Sequence, residues 1–361
     1  MGVGAGRPGV ISADPGVVRR SVRAALTILV VAALLTGIGF GFLSAWQGVA
    51  RSGERFRSID ATWLTGAVVV WTAALYCQGA RWRALLATAR PPDAAQLALV
   101  LGGTNVIHLT MPGPVAELAA ALFVRHRYGI PIAGAVASAL LSRFLALGVL
   151  GMVTLALWAP VSSRVPTETL AWMAPVVVLL GIGALAVGAA CRRPAWVAGL
   201  ITRASRILGD RISNRVADKT AWWIKCFAAV GQLGPGSWHV ATAWSLANIV
   251  TLSLGSWMAF RAVGVHADPT GVVFLHGLLS VANVAMIVTP GGIGAVDALA
   301  VVTFPSVLSL TTEDAALCTL SLRWIQLGSM SLGIAPMAWM LAQLPARIQE
   351  AVTTEMDTVE G

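Results

Sequence analysis

Apolar residues fill most of the chain in long runs, interrupted by short clusters of arginine, proline and glycine. Runs near twenty residues lie at about 24–44, 62–80, 131–159, 169–190, 238–260 and 314–342. A helix rises about 1.5 Å per residue, so each run can cross a hydrocarbon core about 30 Å thick. Two further apolar regions behave differently. Residues 94–124 are interrupted at Pro112, Gly113 and Pro114, and residues 270–304 are interrupted by the run TPGGIG that begins at Thr289. The helical run that follows the first break is about a dozen residues long, about 18 Å, too short to cross unaided. Irregular backbone at membrane depth must be shielded by protein or line a watery cavity. Each region therefore reads as a hairpin that enters, turns and leaves by the same face. The expected fold is an all-α polytopic membrane protein with six full spans plus two re-entrant helical hairpins.

The two hairpins belong to a repeat. Arg83, Pro91, Asn105, Pro112 and Gly113 match Arg261, Pro269, Asn283, Pro290 and Gly291 at an offset of 178, and Glu117, Arg143 and Gly148 match Asp297, Arg323 and Gly328 at 180. A two-residue insertion in the second tip accounts for the change. Each half holds three crossings if hairpins do not count, and an odd number inverts the second half. The expectation is an inverted-topology repeat whose hairpins enter from opposite faces and meet at their tips. The domain reading is a disordered tail over 1–21, a first membrane repeat over 22–159 and a second over 160–342. A further tail occupies 343–361.

Charge adds orientation and a linker. The formal charge is +9, and 23 of the 25 basic residues are arginine, the exceptions being Lys219 and Lys225. No basic domain interleaved with aromatics is present, which argues against nucleic acid. With the N-terminus inside, eighteen basic residues fall on the cytoplasmic side and five outside, so both termini are expected to be cytoplasmic. Residues 191–236 carry eight basic residues against Asp210 and Asp218, with apolar residues at helical spacing from Val197 to Ile212, and read as a basic amphipathic helix on an anionic leaflet. Cys77, Cys191, Cys226 and Cys318 are isolated and show neither metal-ligand spacing nor a disulfide framework. No P-loop, nucleophile elbow or zinc-protease motif occurs, and no extramembrane segment is large enough for a catalytic domain. No enzyme activity, cofactor or metal is expected.

The chemistry that remains is electrostatic. A half-helix begins after each break, so its free N–H groups and dipole favour an anion at the bilayer centre. Gly113, Gly291 and Gly292 open these tips. Arg143 and Arg323 fall within spans, where a charge costs about 2.5–3.5 kcal/mol on insertion scales, as does each of Glu117 and Asp297. Two readings stand side by side. In one, Glu117 pairs with Arg143 and Asp297 with Arg323 as structural locks. In the other, the arginines engage a lipid phosphate while the carboxylates hold them or exchange protons. Asn105 and Asn283 serve as interhelical hydrogen-bond groups or ligands. His108 and His276 read as satisfied core histidines, and Trp46, Trp63, Trp158 and Trp172 as an aromatic belt.

The stretches NVIHLTMPGPVAELAAALFVRHRYGIP (residues 105–131) and SRFLALG (142–148), with NVAMIVTPGGIGAVDALA (283–300) and LRWIQLG (322–328), resemble the lysylphosphatidylglycerol synthase transmembrane family, also called the flippase-like domain family. That family carries a P-G-x-x-G-x-x-E-like element after a membrane segment. Asp297 stands where its glutamate is usual, and the first copy has Pro114 to Ala116 in place of the second tip glycine. The resemblance implies the transport part without a synthase domain, in a bacterial-type cytoplasmic membrane. The function expected is translocation of an anionic, phosphate-containing lipid, either a phospholipid or a polyprenyl-phosphate carrier. The alternative is a membrane subunit supporting a separate lipid-modifying or glycosyl-transferring enzyme.

Overall fold

A computed structural model describes residues 58–88, 90–110, 113–192, 199, 203, 233–282, 295–336 and 338. The expected first span, the terminal tails and nearly all of the basic linker over 191–236 lie outside the described residues. The described elements are helices: α1 (Ala61–Leu85), α2 (Ala94–Thr110), α3 (Gly113–Tyr128), α4 (Ile132–Ala156), α5 (Trp158–Ser162), α6 (Thr167–Arg192), α7 (Pro235–Ala262), α8 (Pro269–Ala282), α9 (Ala295–Leu308) and α10 (Thr312–Ser331).

Local chemistry fixes several boundaries. Asp60 caps α1 by accepting from the N–H groups of Thr62 at 2.8 Å and Trp63 at 3.2 Å. Thr311 caps α10 through the Asp314 N–H at 3.1 Å, and Pro235 opens α7 in its first turn. The apolar run over 131–159 is not one helix, because α4 stops at Ala156 and α5 begins after a turn at Leu157. Pro160 is the reason: its ring would collide with the carbonyl four residues back, at Ala156. Pro336 likewise explains the turn at Leu332 and Gly333 after α10; helix resumes over 334–336, and the expected end of the span at 342 lies outside the described residues.

α1 and α7 form the most extensive helix pair and run antiparallel. The Asp60 N–H at the start of α1 donates to the Ala262 carbonyl at the end of α7 at 2.9 Å, while Leu85 at the far end of α1 clusters with Ala241 near the start of α7. Small residues permit the approach, with Gly255 against Trp71 and the Ala67 carbonyl. The remaining contacts come in matching sets. α2 and α3 pack on each other and on α1 and α4, as α8 and α9 do on α7 and α10. Across the halves, α4 packs on α7 and α8, and α10 packs on α1 and α2. Each half has its own core, one around Trp82, Leu97, Phe123 and Val124, the other around Phe260, Phe274, Leu278 and Phe304.

Apolar side chains fill the interior, as in a protein in water, but they also cover much of the outside. Inside, Ser138, Ser245, Thr154 and Thr319 are buried and return their hydroxyl protons to carbonyls three or four residues back, at 2.8–3.0 Å. Outside stand large apolar side chains such as Val69, Leu99, Met152, Val250 and Leu327, each more than half exposed. Backbone and hydroxyl groups satisfied within the bundle, small residues between helices and apolar residues on the surface are what lipid selects. By length and apolarity alone, Gly134–Ala156 of α4 is the one stretch among the described residues that would cross a membrane, with a mean hydropathy of 1.9.

Candidate anion site

One ion pair ties α3 to α4 and another ties α9 to α10. Arg323, the twelfth residue of α10, donates from Nε to Asp297 Oδ1 at 2.7 Å and from Nη2 to Oδ2 at 2.9 Å. This fork geometry is the strong, charge-assisted form. Its remaining nitrogen Nη1 donates to Gln326 Oε1, one turn further along α10, at 2.7 Å. Asp297 lies in the first turn of α9, where the helix dipole favours its charge. The side chains are 14% and 18% exposed for Asp297 and Arg323, so the pair is largely removed from solvent.

In the first half Arg143, also the twelfth residue of its helix α4, forms an ion pair with Glu117 in α3. Here the burial differs, since Glu117 is 16% exposed but Arg143 is 46% exposed. The guanidinium of Arg143 is thus reachable from outside the bundle, whereas that of Arg323 is enclosed.

Among the other expected site residues, Gly113 opens α3 and Asn105 lies half-buried on α2. Asn283, Gly291 and Gly292 lie outside the described residues, as do Met111 and Pro112. His276 is the core histidine expected of it, with Nε2 2.9 Å from Ser256 Oγ and its ring tilted against Trp71. The His108 side chain is outside the described set. Trp63 and Trp257 meet edge to face at 5.8 Å, with Arg261 stacked 4.9 Å from the centroid of Trp257. Cys77 and Cys318 are free and buried.

One residue near the site reads in sequence only as a closing charge of the second span. Arg81 is 5% exposed, and its Nε donates to Ser142 Oγ at 2.9 Å, immediately before Arg143 on α4. Its Nη1 is buried without a hydrogen-bond partner. Among the described residues no carboxylate pairs with it. The clue in sequence is helical spacing: Arg81 stands four residues after Cys77 and four before Leu85, on the stripe that α1 buries, while Arg83 falls off it and is exposed.

These features define a helical membrane protein with charged groups held inside its bundle. The chain belongs to the family described as the lysylphosphatidylglycerol synthase TM region, which it matches over residues 25–333. No curated protein and no solved structure matches it significantly. Family membership supports a membrane location and a link to lipid handling.

Proposed function

We propose that the protein is a lipid transporter, not an enzyme, which moves an anionic lipid across a bacterial-type cytoplasmic membrane with its head group held between the two hairpin tips. The observation that carries this reading is the recurrence of one ion pair, carboxylate in the second hairpin arm and arginine twelve residues into the next helix, in both halves of the chain. Four charges inside a helix bundle are costly, and such groups in membrane proteins mark pathways for polar or charged cargo. A guanidinium fork suits a phosphate oxygen as well as it suits a carboxylate, so each arginine can exchange one for the other as the head group passes. The lipid class is therefore phosphate-containing, either a phospholipid or a polyprenyl-phosphate carrier.

An inverted repeat is part of the proposal, with six full spans, two re-entrant hairpins and both termini cytoplasmic. The antiparallel pairing of α1 with α7, its counterpart in the second half, supports inversion, because helices related by a two-fold axis in the membrane plane run in opposite directions. The reciprocal contacts of α4 with α7 and α8, and of α10 with α1 and α2, support it as well. The 14 residues of α9 cover about 21 Å, less than the hydrocarbon thickness, which favours a re-entrant arm.

Proteoliposomes carrying tail-labelled phosphatidylglycerol, with external quencher reporting the accessible leaflet, test the function. Wild-type protein should equilibrate the label, and Arg143→Ala and Arg323→Ala should each slow it by about tenfold or more, the loss expected for one charge-assisted bond. Rates unchanged by both substitutions would remove the arginines from the path. No movement by wild type, with a lipid-modifying enzyme co-purifying in stoichiometric amount, would instead favour the subunit role.

A further inference from the structure

The two halves match in their ion pairs but not in the charge around them. In the second half Arg323 is saturated: three of its nitrogens are bound by Asp297 and Gln326, and the cluster is neutral. In the first half the position matching Gln326 is Ala146, and a second arginine is present. Arg81 and Ser142 have as counterparts Ala259 and Leu322, at the same offsets of 178 and 180, so the second half has no equivalent of either.

Arg81, Arg143 and Glu117 together leave one positive charge over. Burying a cation with no counter-charge costs several kcal/mol, and a chain that needed only packing at that position would carry the alanine found at 259. Arg81 is 5% exposed and its Nη1 has no acceptor, although Nε is fixed on Ser142. Ser142 accepts that bond with its oxygen, which leaves its hydroxyl proton to be donated. Arg143 follows it directly on α4, is 46% exposed, and acts electrostatically on Arg81. Cys77, one turn back on α1, has its sulfur 3.9 Å from Thr251 Oγ1. Two guanidinium groups and a hydroxyl, short of one negative charge, match the oxygens of a phosphate.

We propose that Arg81, Ser142 and Arg143 form a phosphate-binding subsite present in the first half only, so that the transporter's two half-sites are unequal. Arg81 binds the phosphate from inside the bundle, Arg143 receives it from the open side, and Glu117 holds Arg143 when the subsite is empty. The proposal rests on the transport reading only for the source of the phosphate, a lipid head group. Arg81 lies one turn from the end of α1 that the charge distribution makes cytoplasmic, so the tighter half-site serves the cytoplasmic entrance.

Thermal unfolding of the full-length protein in uncharged detergent tests this, with dioctanoylphosphatidylglycerol, dioctanoylglycerol and inorganic phosphate as probes. Wild type should be stabilised by the phospholipid and not by the neutral glyceride. Arg81→Met, which removes the uncompensated charge, should unfold at or above the wild-type temperature without ligand and need about tenfold or more phospholipid for the same stabilisation. A structural Arg81 gives the reverse, a lower unfolding temperature with an unchanged response, and would overturn the proposal. If Arg81→Met fails to fold, Arg81→Lys and Ser142→Ala decide: weaker responses in both support the subsite, and wild-type responses in both refute it. Arg164→Gln, at an exposed pair with Asp268, serves as the neutral control. Inorganic phosphate that reproduces the whole effect identifies a free anion as the ligand, while phospholipid acting alone identifies the head group. Transport separates the two proposals. An Arg81-dependent response in a wild type that moves no lipid leaves the subsite standing and removes transport. Equal lipid movement by wild type and Arg81→Met removes the subsite and leaves transport.

Discussion

Ser309 holds a φ of 54° just after α9, a left-handed conformation that side chains with a Cβ adopt at a cost. Its counterpart in the first half, 180 residues earlier, is Gly129, with a φ of 68° and its N–H donating to the Arg125 carbonyl at 2.8 Å. Both positions directly follow a helix, α9 and α3, and glycine is the residue that geometry favours. Ser309→Gly should therefore stabilise the protein by about 0.5–1 kcal/mol, read as a raised unfolding temperature; a lowered one would mean the serine is held by something other than the turn. The enclosed pair behaves oppositely. Asp297→Asn leaves Arg323 buried against a neutral group and should cost about 3–5 kcal/mol, whereas Glu117→Gln should cost distinctly less, because Arg143 is 46% exposed and less tightly enclosed by protein. Equal losses in denaturation of the two variants would contradict the difference in burial. Both pairs are legible in the sequence as carboxylates and arginines in register. Their unequal burial is not, since it depends on Gln326 against Ala146 and on packing that no spacing encodes.

Helix boundaries follow from local rules where the local rule is strong. The runs at 62–80, 169–190 and 238–260 are α1, α6 and α7 within a few residues, because sustained apolarity with arginine or glycine at the ends leaves few alternatives. The turns at Leu157 and at Leu332 and Gly333 interrupt the runs 131–159 and 314–342 ahead of Pro160 and Pro336, and apolarity alone does not signal them. Contacts between elements are less legible, because they depend on glycines whose partners are distant in sequence. A Cβ at Gly333 would overlap the Gly102 carbonyl oxygen on α2, and one at Gly277 on α8 would overlap Thr154 Oγ1 on α4. One contact joins α2 to the turn after α10, the other joins α8 to α4. Gly333→Ala meets backbone, which cannot yield, and should cost more than Gly277→Ala, where the threonine side chain can turn aside; each falls within or above the 1–3 kcal/mol typical of overpacking. Thr154→Ala should recover part of the loss at Gly277 and none at Gly333, a pattern that a double-mutant cycle in thermal unfolding would expose.

At the scale of the molecule, the question that apolarity leaves open is where the hairpins turn. A hairpin that crosses twice and one that turns midway leave the same charge on the same faces, so the positive-inside count is blind to the difference. Length bears on it more directly. The last turn of α3 is polar, with Arg125, His126 and Arg127, and the part of the arm from Gly113 to Val124 rises only about 18 Å, with Glu117 inside it. In a version lacking cysteines, Arg125→Cys should react with a membrane-impermeant thiol reagent from one face and Arg164→Cys from the other, since a full span and its short extension separate them. Asp93→Cys, just before α2, should share the face of Arg125→Cys, and Asp268→Cys, just before α8, that of Arg164→Cys. Opposite faces for Asp93 and Asp268 are what inversion demands, and a common face would end it. Gly113→Cys is the deciding position for the turn. If the hairpin is re-entrant, it should react with a permeant reagent and resist the impermeant one from the Arg164 side, because protein and lipid still separate the tip from that face. Ready labelling from that side would make α2 and α3 two full spans, bring the first tip to the surface, and dissolve the shared site between the tips while leaving the Arg81 subsite, on α1 and α4, untouched.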